Sequence, residues 1–167
     1  MSEIAYLGLG SNIGDRVAYL QAGTRALATK PEFSILKTSS VYETSPEGYL
    51  DQGDFLNAAL SLRTTKTPAS LLETMSAIED SFGRQRTIHW GPRTLDLDLL
   101  MFGNCVVDEA HLKVPHPRLL ERRFALEPLA EIAPELVHPQ TGRSMAEHCT
   151  QLVRPASTRK LGPLAWV

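Results

Sequence analysis

The stretch that most restricts this chain is residues 90–100, WGPRTLDLDLL. A Gly91-Pro92 turn and a cation at Arg93 lead into a strict alternation of acidic and aliphatic residues. A period of two is the mark of a β-strand, which turns alternate side chains to opposite faces. Asp96 and Asp98 then share one face, while Leu95, Leu97, Leu99 and Met101 share the other. A rise of ~3.3 Å per residue puts the two aspartate Cα atoms ~6–7 Å apart. Carboxylates so spaced can hold one hard cation, or a pair about 3.5–4 Å apart. The same pattern also describes a half-exposed strand whose acids face water. Arg93 favours the metal reading, because phosphate chemistry needs cations beside the carboxylates.

A core must back such a strand, and the chain can supply one. It has 167 residues, 43% of them hydrophobic and 22% charged, as expected for one soluble globular domain spanning residues 1–167. A net charge of −2 gives no electrostatic reason to expect a nucleic-acid partner. No apolar run reaches the ~20 residues that a membrane helix needs, and no signal-like segment opens the chain. Cys105 and Cys149 fit neither a metal-spacing pattern nor a disulfide scaffold, so two reduced thiols in a cytoplasmic protein are expected.

In chain order, residues 4–9 read as a buried strand and residues 15–30 as a helix with Val17, Leu20, Thr24 and Leu27 on one face. Gly8, Gly10 and Gly14 are spaced GxGxxxG, which is not the dinucleotide fingerprint, and GxxxxGK[ST] is absent. Any phosphate site must therefore be built from side chains. Residues 34–44 read as a second strand, 45–53 as a loop, and 54–65 as a third strand with Phe55 and Asn57 on its non-core face. An aromatic ring beside an amide can grip a flat heterocycle, or can simply be a rim residue and an edge hydrogen bonder. Thr67-Pro68 opens a helix that Gly83 ends, and the Asp96 strand follows. A short hairpin at 106–114, a helical stretch at 118–133 interrupted by Pro128, and a last helix at 145–153 complete the chain. The tail from Arg154 is expected to be loosely held. The order βαββαβ predicts an α+β fold: a ferredoxin-like sandwich with an antiparallel sheet, helices on one face, and C-terminal helical additions. The helix-free face, or the loops at its edge, would take ligands.

Six pieces, taken together, resemble one enzyme family. They are GLGSNIGDR from Gly8, YETSPEG from Tyr42, DFLNAAL from Asp54, IEDSFGRQR from Ile78, WGPRTLDLDLLMFG from Trp90 and VPHPRLLERRFALEPLAEIAPEL from Val114. The family is 6-hydroxymethyl-7,8-dihydropterin pyrophosphokinase of folate biosynthesis, and the pieces stand in its order. The resemblance implies transfer of a pyrophosphoryl group from ATP to the pterin's hydroxymethyl oxygen, with release of AMP. It implies that Asp96 and Asp98 bind two Mg2+ ions and that Arg86 and Arg93 close over the triphosphate. Trp90 lies on the same catalytic loop, with Arg84 near its start. His116 and Arg122 resemble further phosphate contacts. Glu79, Leu99, Leu112 and Lys113 fall where the family meets the nucleoside. Thr44, Ser45, Pro46, Glu47, Phe55, Asn57 and Phe124 fall on the pterin pocket. The chain departs from family members at His89, at His111, at Ser76, and in a segment before Trp90 one residue shorter than in some. A monomer with small-molecule substrates is expected, and a fused second enzyme is not.

Two other readings use the same skeleton. An RNA-recognition module would need an RNP1-type aromatic motif, which is absent, and an aspartate pair would repel phosphate without a metal. A small-molecule-sensing domain would bind nucleotide without turnover.

Overall fold

The computed structural model describes residues 1–46, 48–83, 94–152 and 158–167. Its centre is a six-stranded sheet made of β1 (Glu3–Ser11), β2 (Phe33–Thr38), β3 (Ser40–Thr44), β4 (Phe55–Thr64), β5 (Asp96–Phe102) and β8 (Thr158–Pro163). The order is β5-β1-β4-β3-β8, with β2 also paired to β4, and every pairing is antiparallel. A separate hairpin joins β6 (Val107–Glu109) to β7 (Leu112–Val114). The helices are α1 (Arg16–Ala28), α2 (Pro68–Ser81), α3 (Arg123–Ile132) and α4 (Met145–Gln151). No helix among the described residues is long and apolar enough to cross a membrane.

The helix starts follow from capping chemistry. Asp15 accepts the Ala18 amide at the head of α1, and Thr67 accepts that of Ser70 ahead of Pro68 in α2. Leu20 and Leu27 of α1 and Leu71, Met75 and Ile78 of α2 bury against Leu7, Leu60, Leu62 and Leu97 of the sheet. Val17 does not join them: it is 42% exposed, because its turn of helix lies at the rim.

The expected sandwich is present, with α1 and α2 on one face. The C-terminal helical additions cover part of the second face, which was expected to be free of helices. Leu126, Leu129 and Ile132 of α3 and Met145 of α4 pack on Ala59, Leu100 and Met101. That second layer leaves one end of the sheet face open. The strand expected at 34–44 is two strands, broken at Ser39. There the buried hydroxyl accepts the Ala59 amide and replaces a ladder bond. The helical stretch expected at 118–133 is likewise divided: a 3-10 turn at Leu119–Glu121 precedes α3, and Arg122 between them is extended.

Met101 also lies on the face opposite to the one that simple alternation assigns it. Leu7 pairs with Leu99 but Tyr6 pairs with Met101, so Leu100 is an extra residue and a β-bulge. Beyond the bulge the faces exchange: Met101 joins the α3 side and Phe102 the α1 side. Of the tail expected to be loose, residues 154–157 lie outside the described residues, and residues 158–167 are anchored. β8 pairs with β3, Leu164 is buried, and the Trp166 carbonyl accepts from Arg25 Nε.

Candidate active site

A cleft of about 760 Å³, its open mouth included, lies where α3 begins and the second helical layer ends. Its floor is β1 at Gly8 and Gly10. Gly8 pairs with Asp98 and Gly10 with Asp96 on one side, while Gly10 pairs with Asn57 on the other. Neighbouring strands lie ~4.8 Å apart, so the carboxylates and the amide stand roughly 10 Å from each other across a floor without side chains. A flat molecule can lie there.

The carboxylate end comes from alternation. Asp96 and Asp98 are half-buried and line the cleft, while Leu97 and Leu99 between and after them are buried in the core. Arg118 and Arg122 line the same cleft from the segment before α3. Arg122 lies over Phe124, its guanidinium carbon 5.5 Å from the ring centroid. Among the described residues no group of three or more His, Cys, Asp and Glu side chains could hold a metal ion. The two aspartates nevertheless fit magnesium, which characteristically takes one or two carboxylates and completes its shell with substrate phosphates and water.

The amide end is closed. Asn57 is 5% exposed, and its Nδ2 donates to Thr44 Oγ1 at 2.7 Å. Phe55 from the strand, Phe124 from α3 and Ser45 line the same cleft. Two aromatic rings and a fixed amide in one cleft suit a planar ring with polar groups along one edge.

His116 is not among the residues that line the cleft but is tied to the strand that carries the aspartates. Its amide donates to the carbonyl of the bulged Leu100, and its Nδ1 accepts from the Arg118 amide at 3.2 Å. That second bond leaves the ring proton on Nε2. Burial, and then the charges of Arg122 and Arg118, hold its pKa down at about 4, against a smaller opposing effect of Asp96. At neutral pH it is an uncharged N–H donor.

The residues expected at the nucleoside fall outside this cleft, along the outer edge of β5. Glu79 of α2 is 4% exposed, and its Oε2 accepts the Leu97 amide at 2.9 Å. Since Leu97 turns its amide away from β1, the alternation of an antiparallel ladder turns that of Leu99 the same way. The hairpin brings half-buried Leu112 beside that edge, with exposed Lys113 bonded to Asp108. Pro46 follows Ser45 just beyond the cleft lining. Glu47, Arg84, Arg86, Trp90 and Arg93 lie outside the described residues. The sequence reading missed Arg118 and Gly10. Arg118 had one available signal, a cation two residues after a histidine already singled out.

Known proteins resemble this chain over most of its length. The family described as 7,8-dihydro-6-hydroxymethylpterin-pyrophosphokinase (HPPK) matches residues 6–134. A 2-amino-4-hydroxy-6-hydroxymethyldihydropteridine pyrophosphokinase of Bacillus subtilis is 48% identical over 136 residues, 81% of either chain. One of the same name from Methylorubrum extorquens is 47% identical over 133 residues, 80% of this chain and 84% of the relative. The crystal structure of wild-type Plasmodium falciparum HPPK-DHPS has a TM-score of 0.72 at 16% identity, covers 90% of this chain, and is spanned by it over 45% of its own length. That last likeness concerns the fold, and the ferredoxin-like α+β arrangement is common to both. Sequence and fold agree, and the chain belongs to the HPPK family.

Proposed function

We propose that this chain transfers the terminal pyrophosphoryl group of ATP to the hydroxymethyl oxygen of 6-hydroxymethyl-7,8-dihydropterin, with two magnesium ions held by Asp96 and Asp98. One observation carries the reading: a single cleft joins paired carboxylates and two arginines to a closed amide-and-aromatic slot, across a floor of glycine. The new bond joins the pterin oxygen to the β-phosphorus. The bond from that phosphorus to the oxygen bridging it to the α-phosphorus breaks, AMP leaves with the electron pair, and the hydroxyl proton passes to solvent.

Each described side chain has a task in that transfer. Asn57, oriented by Thr44, reads the polar edge of the pterin, and Phe55 and Phe124 hold its faces. Phosphoryl transfer gains chiefly from positioning and from charge stabilisation. Arg118 and Arg122 supply planar forks for phosphate oxygens, and neutral His116 supplies one N–H. Asp96 and Asp98 would hold magnesium, which when bound would offset the triphosphate charge and lower the pKa of the attacking hydroxyl. Leu99, Leu112 and Lys113 take the nucleoside along the outer edge of β5, with Glu79 beneath them. As the family resemblance implies, Arg84, Arg86, Trp90 and Arg93 serve the triphosphate and Glu47 the pterin, all outside the described residues, while Ser45 and Pro46 lie on the pterin side.

Residues 1–167 act as one domain and as a monomer, in the cytoplasm. Two free cysteines, Cys105 and Cys149, support a reducing compartment. The direct test is chromatography of a reaction of the purified protein with magnesium, ATP and the pterin. AMP and the pterin diphosphate should appear in equal amounts. ADP as the sole nucleotide product would refute the reading.

A further inference from the structure

We propose that Gly10 is a positioning residue for ligand recognition: its missing side chain lets the Asn57 amide lie across β1 and face the cleft. The proposal rests on the reading of the Asn57 end as the pterin slot. Glycine inside a sheet weakens it, and usually marks a close approach. Gly10 sits mid-sheet, between Asp96 and Asn57, and is not among the glycines whose φ is positive. Its backbone therefore does not require glycine.

Its surroundings do. A Cβ at Gly10 would stand 2.9 Å from Asn57 Oδ1, closer than such atoms come, whereas the next neighbours, Phe55 Cδ1 at 3.7 Å and the Leu56 carbonyl at 3.9 Å, are ordinary contacts. What a methyl group strikes is thus the tip of one side chain and not backbone, so a shift of that side chain relieves the collision without moving a strand. That side chain is the buried amide whose other end is tied to Thr44. Gly10 and Thr44 together fix its orientation. Gly8 provides the comparison: it lies on the same strand and face, but a Cβ there would meet Leu100 at 3.6 Å, an ordinary contact.

Gly10→Ala should therefore fold, with its thermal midpoint lowered by no more than about 5 °C because the strained Asn57–Thr44 bond is offset in part by removing a strand glycine. It should nevertheless bind the pterin about tenfold or more weakly because a buried polar edge loses its partner. Its affinity for a non-hydrolysable ATP analogue with magnesium should stay within about threefold. In NMR spectra the Asn57 side-chain amide signals should shift in Gly10→Ala and stay in place in Gly8→Ala. This readout needs no pterin, so failure of the parent protein to bind pterin would sink the functional reading without touching the steric one. The effect should also vanish in an Asn57→Ala background, where both variants bind pterin equally weakly. If Gly10→Ala does not fold, the double variant should, because the collision is gone; an unfolded double variant overturns the proposal. Unmoved Asn57 signals with unchanged pterin affinity in Gly10→Ala also overturn it.

Discussion

Asp96 and Asp98 are half-buried at the cleft, so their charges serve ligands more than the core. Asp96→Asn and Asp98→Asn should each lower kcat by more than about a hundredfold, the scale of losing a group that stabilises transition-state charge. Thermal midpoints should hold within about 2 °C, and magnesium-dependent binding of an ATP analogue should weaken. Near-normal turnover in either variant would end the metal assignment. Arg118 tests the phosphate end separately. Its backbone amide, not its side chain, orients His116, so Arg118→Ala leaves that ring in place. The variant should bind the ATP analogue about tenfold more weakly, at the low end for charge-assisted contacts because the side chain is 39% exposed. Pterin affinity, read by calorimetry, should not follow. His116 carries a pH signature. Its folded pKa of about 4 lies below the unfolded value of 6.5, so between these the unfolded chain binds the extra proton. Its contribution to stability is present above about pH 6.5 and is lost as pH falls towards about 4. Urea titrations across that window should show parent and His116→Gln converging as the pH drops, and a constant difference would exclude the depressed pKa.

At the scale of elements, β5 shows both what alternation can tell and where it stops. The side-chain period placed Asp96 and Asp98 on one face because it is local and needs no partner strand. It placed Met101 wrongly, because the bulge at Leu100 arises from pairing with β1, some ninety residues earlier in the chain. The break at Ser39 was hidden in the same way: a serine hydroxyl standing in for a ladder bond becomes visible only once Ala59 lies opposite. Phe55 and Asn57 were legible as a pair on one face of a strand. Gly10 was not, since its role depends on two strands brought to its sides. Glu79 is another long-range device, a carboxylate of α2 that takes the place of a neighbouring strand at the edge of β5. Glu79→Leu would leave the Leu97 amide buried without that acceptor, at a cost of about 1–3 kcal/mol. Glu79→Gln keeps an acceptor oxygen and should cost much less. Chemical denaturation of the pair would decide; equal losses would show that the contact matters through packing alone.

For the whole molecule, the last strand ties the second layer to the first. The tail from Arg154 carries Pro155 and Pro163 around a polar run from Ser157 to Lys160, and nothing local marks residues 158–163 as a strand. Its anchors are all distant: the ladder with β3, an ion pair from Lys160 to Glu131 of α3, another from Arg159 to Glu43, and Leu164 in the main core. Ending the chain after residue 157 would remove all of them together. Burial of one leucine alone contributes about 1.5–3 kcal/mol, and each kcal/mol is worth about 2–4 °C in a domain of this size. A thermal midpoint lower by about 5–10 °C is expected. Function should suffer unevenly, because Thr158 pairs with Thr44, which orients Asn57, whereas β5 sits at the other end of the sheet with three strands between it and β8. The shortened chain should lose pterin affinity before ATP affinity in calorimetry at a temperature where it remains folded. If both fall together, or if the midpoint is unchanged, β8 is not the support for the pterin wall that its pairing implies.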